Sequence, residues 1–212
     1  MSVEKLYQDD RIILYHGDTN ADFIRFLAKR AAFYAFHPVV DEFCRDKTPE
    51  QIFNVAKNKI EYRRDPRLGE RILSPALIIQ ELRNGRKVQE DCDGKTLFLA
   101  SCLANMGYHV NIIGALFQKS GATGINHVFV EFLDDKSDQW IQLEPSTKIL
   151  GFGQVSPRAV PVLKVALQEP NFKKLSPHKI AQFMQVANEV GDITDPVDKD
   201  ECKRNKEVLW EL

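Results

Sequence analysis

The segment Glu90-Asp91-Cys92-Asp93-Gly94-Lys95-Thr96-Leu97-Phe98-Leu99 sets a cysteine at the mouth of a helix. Asp91 and Thr96 mark the helix start. Leu99, Cys102, Leu103 and Met106 then make one apolar stripe, which Leu97, Phe98 and Ala100 widen. A helix from Cys92 to Asn105, buried on most sides and closed by Gly107, is therefore expected. A thiol placed there gains from the unpaired backbone N–H groups of the first turn, which favour a thiolate and can bind an oxyanion. Asp91 and Asp93 oppose a thiolate unless they cap the helix, which is the role assigned to them here.

Outward from the helix, residues 110–117 form a run of β-branched and apolar residues, read as a strand. A loop at residues 118–126 leads to Asn126-His127-Val128-Phe129-Val130-Glu131 and then Trp140-Ile141-Gln142-Leu143-Glu144-Pro145, two further strands. If Asp134-Asp135-Lys136-Ser137 is the hairpin loop, Leu133 pairs with Asp138, Glu131 with Trp140, Phe129 with Gln142 and His127 with Glu144. Directly opposed Cβ atoms lie about 4.5–5.5 Å apart, so the Glu144 carboxylate reaches the His127 imidazole. Alternation puts Val128, Val130, Phe132, Ile141 and Leu143 on the opposite, core-facing side.

Cysteine, histidine and a carboxylate are the parts of a thiol nucleophile, its base and the group that orients the base. Cys92, His127 and Glu144 are the candidate catalytic residues. Glu131 competes for the orienting role, and Tyr62 or Gln89 is a candidate second oxyanion donor beside the Cys92 N–H. A zinc site built from Cys92, His127 and a carboxylate is the chemical alternative, and the spacing suits the thiol–imidazole arrangement better. Cys102 is assigned to the core, Cys44 and Cys202 to no role, and His16, His37, His109 and His178 to surface or capping positions.

The remaining chain frames this unit. Residues 11–15 (RIILY) read as a short strand, and residues 22 to about 36 as an amphipathic helix with Phe23, Phe26, Leu27, Ala31 and Tyr34 inward. Thr48-Pro49-Glu50-Gln51 opens a helix expected to run through Ile52, Val55, Ile60 and Tyr62 until residues 65–69 end it. Ser74-Pro75 starts a short helix that Asn84-Gly85 stops. Beyond Pro145 a strand at residues 161–168, a helix after Ser176, an acidic linker at 191–201 and a terminal segment are expected.

With 212 residues, 43% hydrophobic and 28% charged, the chain supports one good-sized core. The expected division is a core at residues 1–160 and a partly helical extension at 161–212. Its 29 basic and 30 acidic residues leave a net charge of −1, which argues against nucleic acid or an anionic membrane as partner. No stretch reaches the roughly 18–20 apolar residues of a membrane span, and residues 1–10 lack a signal-like order, so a soluble, cytoplasmic protein is expected. The four cysteines have no tight spacing and are expected as free thiols.

The order of these motifs resembles the transglutaminase-like core, a distant branch of the papain-like cysteine enzymes, over residues 50 to 150. Asp91-Cys92-Asp93 with Leu99, Leu103 and Gly107 is similar to that family's nucleophile helix. His127-Val128-Phe129-Val130-Glu131 is similar to its His-x-Trp-x-Glu strand, and Trp140 to Pro145 to its Trp-x-x-Leu-Asp-Pro strand. Lys59-Ile60-Glu61-Tyr62, Asp65-Pro66 and Ser74-Pro75 are similar to its lead-in. This chain departs from the pattern at Glu144, where aspartate is usual, at Phe129, where tryptophan is common, and at Gly94, where a second acidic residue is frequent. The acidic-flanked cysteine also resembles transglutaminase-like proteins of tailed phages and prophages, which adds a virion to the expected locations.

The resemblance implies an α+β, papain-like/transglutaminase fold: a nucleophile helix on a small antiparallel sheet, with helices before it and an extension after it. It implies a Cys-His-Glu triad acting on protein or peptide amide bonds through an acyl-enzyme, with neither cofactor nor metal. Water as acceptor makes a peptidase or amidase and ranks ahead of an amine, which makes a transglutaminase. The reading of another class is a catalytically inactive module of this fold that binds or builds, in a virion for instance. Oligomeric state stays open.

Overall fold

A computed structural model describes residues 12–15, 19–64, 70–118 and 124–167. Along these, the elements are β1 (Ile12–Tyr15), α1 (Asn20–Tyr34), α2 (Pro38–Cys44), α3 (Pro49–Asn58), β2 (Ile60–Tyr62), β3 (Glu70–Leu73) and α4 (Pro75–Arg83). They continue with β4 (Val88–Glu90), α5 (Cys92–Asn105), β5 (Val110–Phe117), β6 (His127–Asp134), β7 (Gln139–Leu143) and β8 (Ala159–Ala166). The fold is mixed α+β: a four-stranded antiparallel sheet ordered β7-β6-β5-β8, with the helices over its apolar face.

Each helix begins on a side chain that takes an otherwise unbonded N–H. Thr19, Thr48 and Ser74 do this for α1, α3 and α4, and the Thr48–Gln51 pair forms a reciprocal capping box. His37 caps α2 through Nδ1, which accepts from Val39 N–H at 3.1 Å. His37 thus has the capping role expected of it, although it is buried. Asp91 caps α5. Gly85 and Gly107, at φ of 69° and 91°, take the left-handed conformation after α4 and α5.

The third helix is shorter than its apolar spacing suggests. It stops at Asn58, and Ile60 and Tyr62 lie instead on β2, paired in parallel with β4 so that Ile60 faces Val88 and Tyr62 faces Glu90. Ile60 sits four residues after buried Ala56, which mimics helical periodicity, yet it is buried as the first residue of a strand. A tertiary partner, β4, selects the strand.

The central helix α5 is enclosed from Asp93 to Leu103, and Leu97, Phe98, Leu99 and Leu103 are fully buried. Each such side chain contributes roughly 1.5–3 kcal/mol by leaving water. Ile112, Val128, Val130, Phe132 and Leu143 supply the sheet side of the same core. On the opposite face Glu131 is bound by Asn111 Nδ2 at 2.9 Å, Gln142 Nε2 at 3.4 Å and Lys164 Nζ at 2.6 Å. That network occupies Glu131 and removes it as a competitor for His127.

Two expectations about the sheet need correction. The β6–β7 hairpin pairs Glu131 with Gln142 and Leu133 with Trp140, a register two residues away from the expected one. The turn is Asp135 to Asp138 because Asp134 stays in the strand and its carboxylate accepts from Ser137 N–H and Oγ–H at 3.2 and 2.6 Å. Asp138 closes the turn at φ 53°. An even shift leaves every side chain on its expected face. The division at residue 160 also falls inside β8, which pairs with β5 from Ala159 to Ala166, so the core sheet runs past it. The helix expected after Ser176, the acidic linker and the terminal segment, with Cys202, His16 and His178, lie outside the described residues.

Candidate active site

Cys92 is the first residue of α5 and is half-buried. The carboxylates on either side of it turn to the backbone: Asp91 Oδ1 accepts from Asp93 N–H at 3.2 Å, and Asp93 Oδ1 accepts from Gly94 N–H at 2.7 Å. This is the capping role expected of them. The Cys92 N–H itself stands ahead of the helical i to i−4 ladder.

His127 opens β6 and its ring is held on two sides. Its Nε2 lies 3.0 Å from Glu144 Oε1, and it packs edge-to-face with Phe117 at a centroid distance of 5.6 Å. In the observed register Glu144 stands diagonal to His127, a longer reach than direct opposition. Glutamate's extra methylene spans it, which gives the departure from aspartate a geometric reason.

Glu144 is 1% exposed and fully engaged. Oε1 also accepts from Thr147 Oγ–H at 2.9 Å, and Oε2 accepts from Ser156 N–H at 2.7 Å. Burial pushes this carboxyl's pKa up, but the bond from His127, the Ser156 N–H, the nearby His127 charge and the Thr147 hydroxyl outweigh it, and the net shift is downward. Glu144 is therefore ionised at neutral pH and can only accept, so His127 carries its proton on Nε2 when neutral. The lone pair is on Nδ1.

The first turn of α5 is tied to the residue after each of the other two. Thr96 Oγ–H donates to the Val128 carbonyl at 3.2 Å, and Lys95 Nζ donates to the Pro145 carbonyl at 3.3 Å. Lys95 is 2% exposed, and burial, with Lys148 nearby, brings its pKa down to about 8. Gly94 has its own reason: a Cβ there would stand 1.9 Å from Glu90 Oε2 and 2.9 Å from Glu90 Cγ. The buried Glu90 carboxyl fills the space that a side chain at position 94 would take.

Cys92, His127 and Glu144 line one cleft of about 520 Å³, together with Tyr62, Arg64, Asp91 and Phe117 among others. The parallel β2–β4 pair carries Tyr62 to the Cys92 side. Burial raises its phenol pKa, and negative charge at Cys92 and Asp91 adds to this, so it stays a donor at neutral pH. Gln89 points elsewhere: its Nε2 donates to Glu61 at 2.9 Å and its Oε1 accepts from Arg63 at 2.8 Å. Of the two candidate oxyanion donors only Tyr62 reaches the cleft.

Sequence reasoning missed Thr147, Ser156, Thr96 and Lys95. A lysine inside an otherwise enclosed helix was the one visible signal among them. Cys102 and Cys44 are buried in the core as free thiols, and burial, with a hydrogen bond between the two, pushes the Cys102 pKa well up. Among the described residues no group of His, Cys, Asp and Glu has metal-holding geometry, and no helix is long and apolar enough to cross a membrane. No protein-family model, no curated protein and no solved structure matches this chain.

Proposed function

We propose that this chain is a cysteine-dependent amide-bond enzyme with a transglutaminase-like, papain-like core. His127 Nδ1 takes the Cys92 proton, and the thiolate attacks the carbonyl carbon of a protein or peptide amide. The new oxyanion is held by the Cys92 N–H and the Tyr62 hydroxyl. As the C–N bond breaks, His127 returns the proton to the departing amine and leaves an acyl-enzyme. Water, deprotonated by the same Nδ1, releases the acid; an amine in its place makes a new amide. Glu144 holds the ring in the tautomer that serves both steps. Hydrolysis ranks first, and neither metal nor cofactor enters the scheme.

The observation that carries this reading is the His127 Nε2 to Glu144 contact of 3.0 Å in the cleft that also holds Cys92. A histidine fixed by a buried, fully bonded carboxylate, in one cleft with a thiol at a helix start, supports this chemistry. The inactive-module alternative draws on Glu144, on Gly94 and on an amphipathic C-terminal region. The first two have a geometric account, in the hairpin diagonal and in Glu90, and the third lies outside the described residues. Iodoacetamide at neutral pH should label wild-type protein at Cys92 and leave Cys92→Ala unlabelled; equal labelling of the two would defeat the proposal.

A further inference from the structure

We infer that the His127 side of the cleft is a subsite for an apolar substituent on the amine partner of the reaction, the departing amine in hydrolysis and the acceptor amine in transfer. This rests on the catalytic reading above and adds the chemical class of one partner. The nitrogen that exchanges a proton with His127 must come within about 3 Å of the ring. Groups on that nitrogen therefore occupy the space beside the imidazole, and what lines this space selects the amine.

That space is apolar and built. Phe117 meets the His127 ring at 5.6 Å, and Phe23, Ile24 and Ile125 line the same cleft. Phe117 ends β5, where a ladder would fray, but the Asn126 side chain bonds both of its backbone groups. Oδ1 accepts from Phe117 N–H at 2.6 Å, and Nδ2 donates to the Phe117 carbonyl at 3.3 Å. The Ile125 carbonyl is bound by Asn20 Nδ2 from the first residue of α1. Gly114 leaves the room this wall needs, since a Cβ there would stand 3.1 Å from Ile24 Cγ1 and 3.2 Å from Ile125 Cδ1.

The other end of the cleft differs. Tyr62, Arg64 and Asp91 gather on the Cys92 side, where the oxyanion forms, whereas Phe117 stands against the His127 ring, so the acyl end is the more polar and the amine end holds the aromatic contact. An apolar group that enters the second sheds water against Phe117 and Ile125, and the side chains of Asn20, Asn126 and Thr147, which line the same cleft, already bond Ile125, Phe117 and Glu144.

The test uses full-length Cys92→Ala, in which no covalent step is available, titrated with N-acetylglycine phenethylamide and N-acetylglycine hydroxyethylamide. The readout is the His127 ring-proton resonances. The phenethylamide should bind at least about tenfold more tightly. Phe117→Ser and Ile125→Ser should each reduce that preference, and Phe117→Leu should keep most of it. Equal affinities, no saturable shift with either compound, or a preference that survives both serine variants would overturn the inference. Failure of the catalytic reading is seen separately, as loss of selective Cys92 labelling in the wild-type protein.

Discussion

The first turn of α5 and the turns after it belong to one continuous helix, but they are stabilised by different physics. From Leu97 to Leu103 the helix is held by apolar contact, with Phe98, Leu99 and Leu103 fully buried. From Cys92 to Thr96 it buries a carboxylate, an ammonium and a hydroxyl, and the bonds of Lys95 and Thr96 end on the backbone beside Glu144 and His127. A core tolerates small shifts in apolar packing, whereas proton transfer requires atoms placed within a few tenths of an ångström. The polar turn therefore fixes the geometry, and the apolar turns supply the stability.

The largest expected effect separates the two directly. Glu144→Gln leaves the buried shape intact but removes the charge that sets the His127 tautomer. Turnover of an amide substrate should fall on the order of 10²- to 10⁴-fold while the melting temperature changes little. Leu99→Ala should do the reverse, costing about 2–5 kcal/mol in denaturant unfolding while the labelling rate of the folded fraction is kept. Turnover that survives Glu144→Gln would break the assignment of function to the polar end.

Gly94→Ala probes the boundary between the turns. Its methyl would collide with the Glu90 carboxyl, which is buried and bound to the Leu73 N–H at 3.0 Å. A loss of about 1–3 kcal/mol is expected from the forced shift. An alanine accepted without cost would show that Glu90 has room to move.

Lys95 gives the smallest effect and sharpens the comparison most. Its folded-state pKa, about 8, lies below the ordinary lysine value of 10.5. Between these values the unfolded chain holds a proton that the folded one has lost, so stability rises as pH climbs through that window. Lys95→Met should flatten this rise in urea unfolding measured from pH 7.5 to 10.5, and should be neutral or stabilising at pH 7. It should also slow Cys92 alkylation by a few-fold, because the tie to Pro145 is gone. An unchanged slope would show that Lys95 does not titrate in that window.

The elements around the site were legible where local chemistry is strong. Asp91 and Gly107 bracket α5 as expected, and β5 follows from its β-branched run. What escaped depends on distant partners. The three-residue strands β2 and β4 exist because they pair with each other. The hairpin register turned on the Asp134 side chain, one bond that a count of loop length does not contain. The same holds in the site: Cys92, His127 and Glu144 stand in recognisable segments, whereas Thr147 and Ser156 reach Glu144 only through the fold of the loop after Pro145.

The central claim is that His127 governs the Cys92 thiol. It is tested most directly by the rate of Cys92 alkylation with iodoacetamide as a function of pH, in the wild-type protein and in His127→Ala. The account predicts a wild-type midpoint well below that of an ordinary thiol, about 8.5, and a return toward that value in His127→Ala. Coincident profiles with an ordinary midpoint would contradict it.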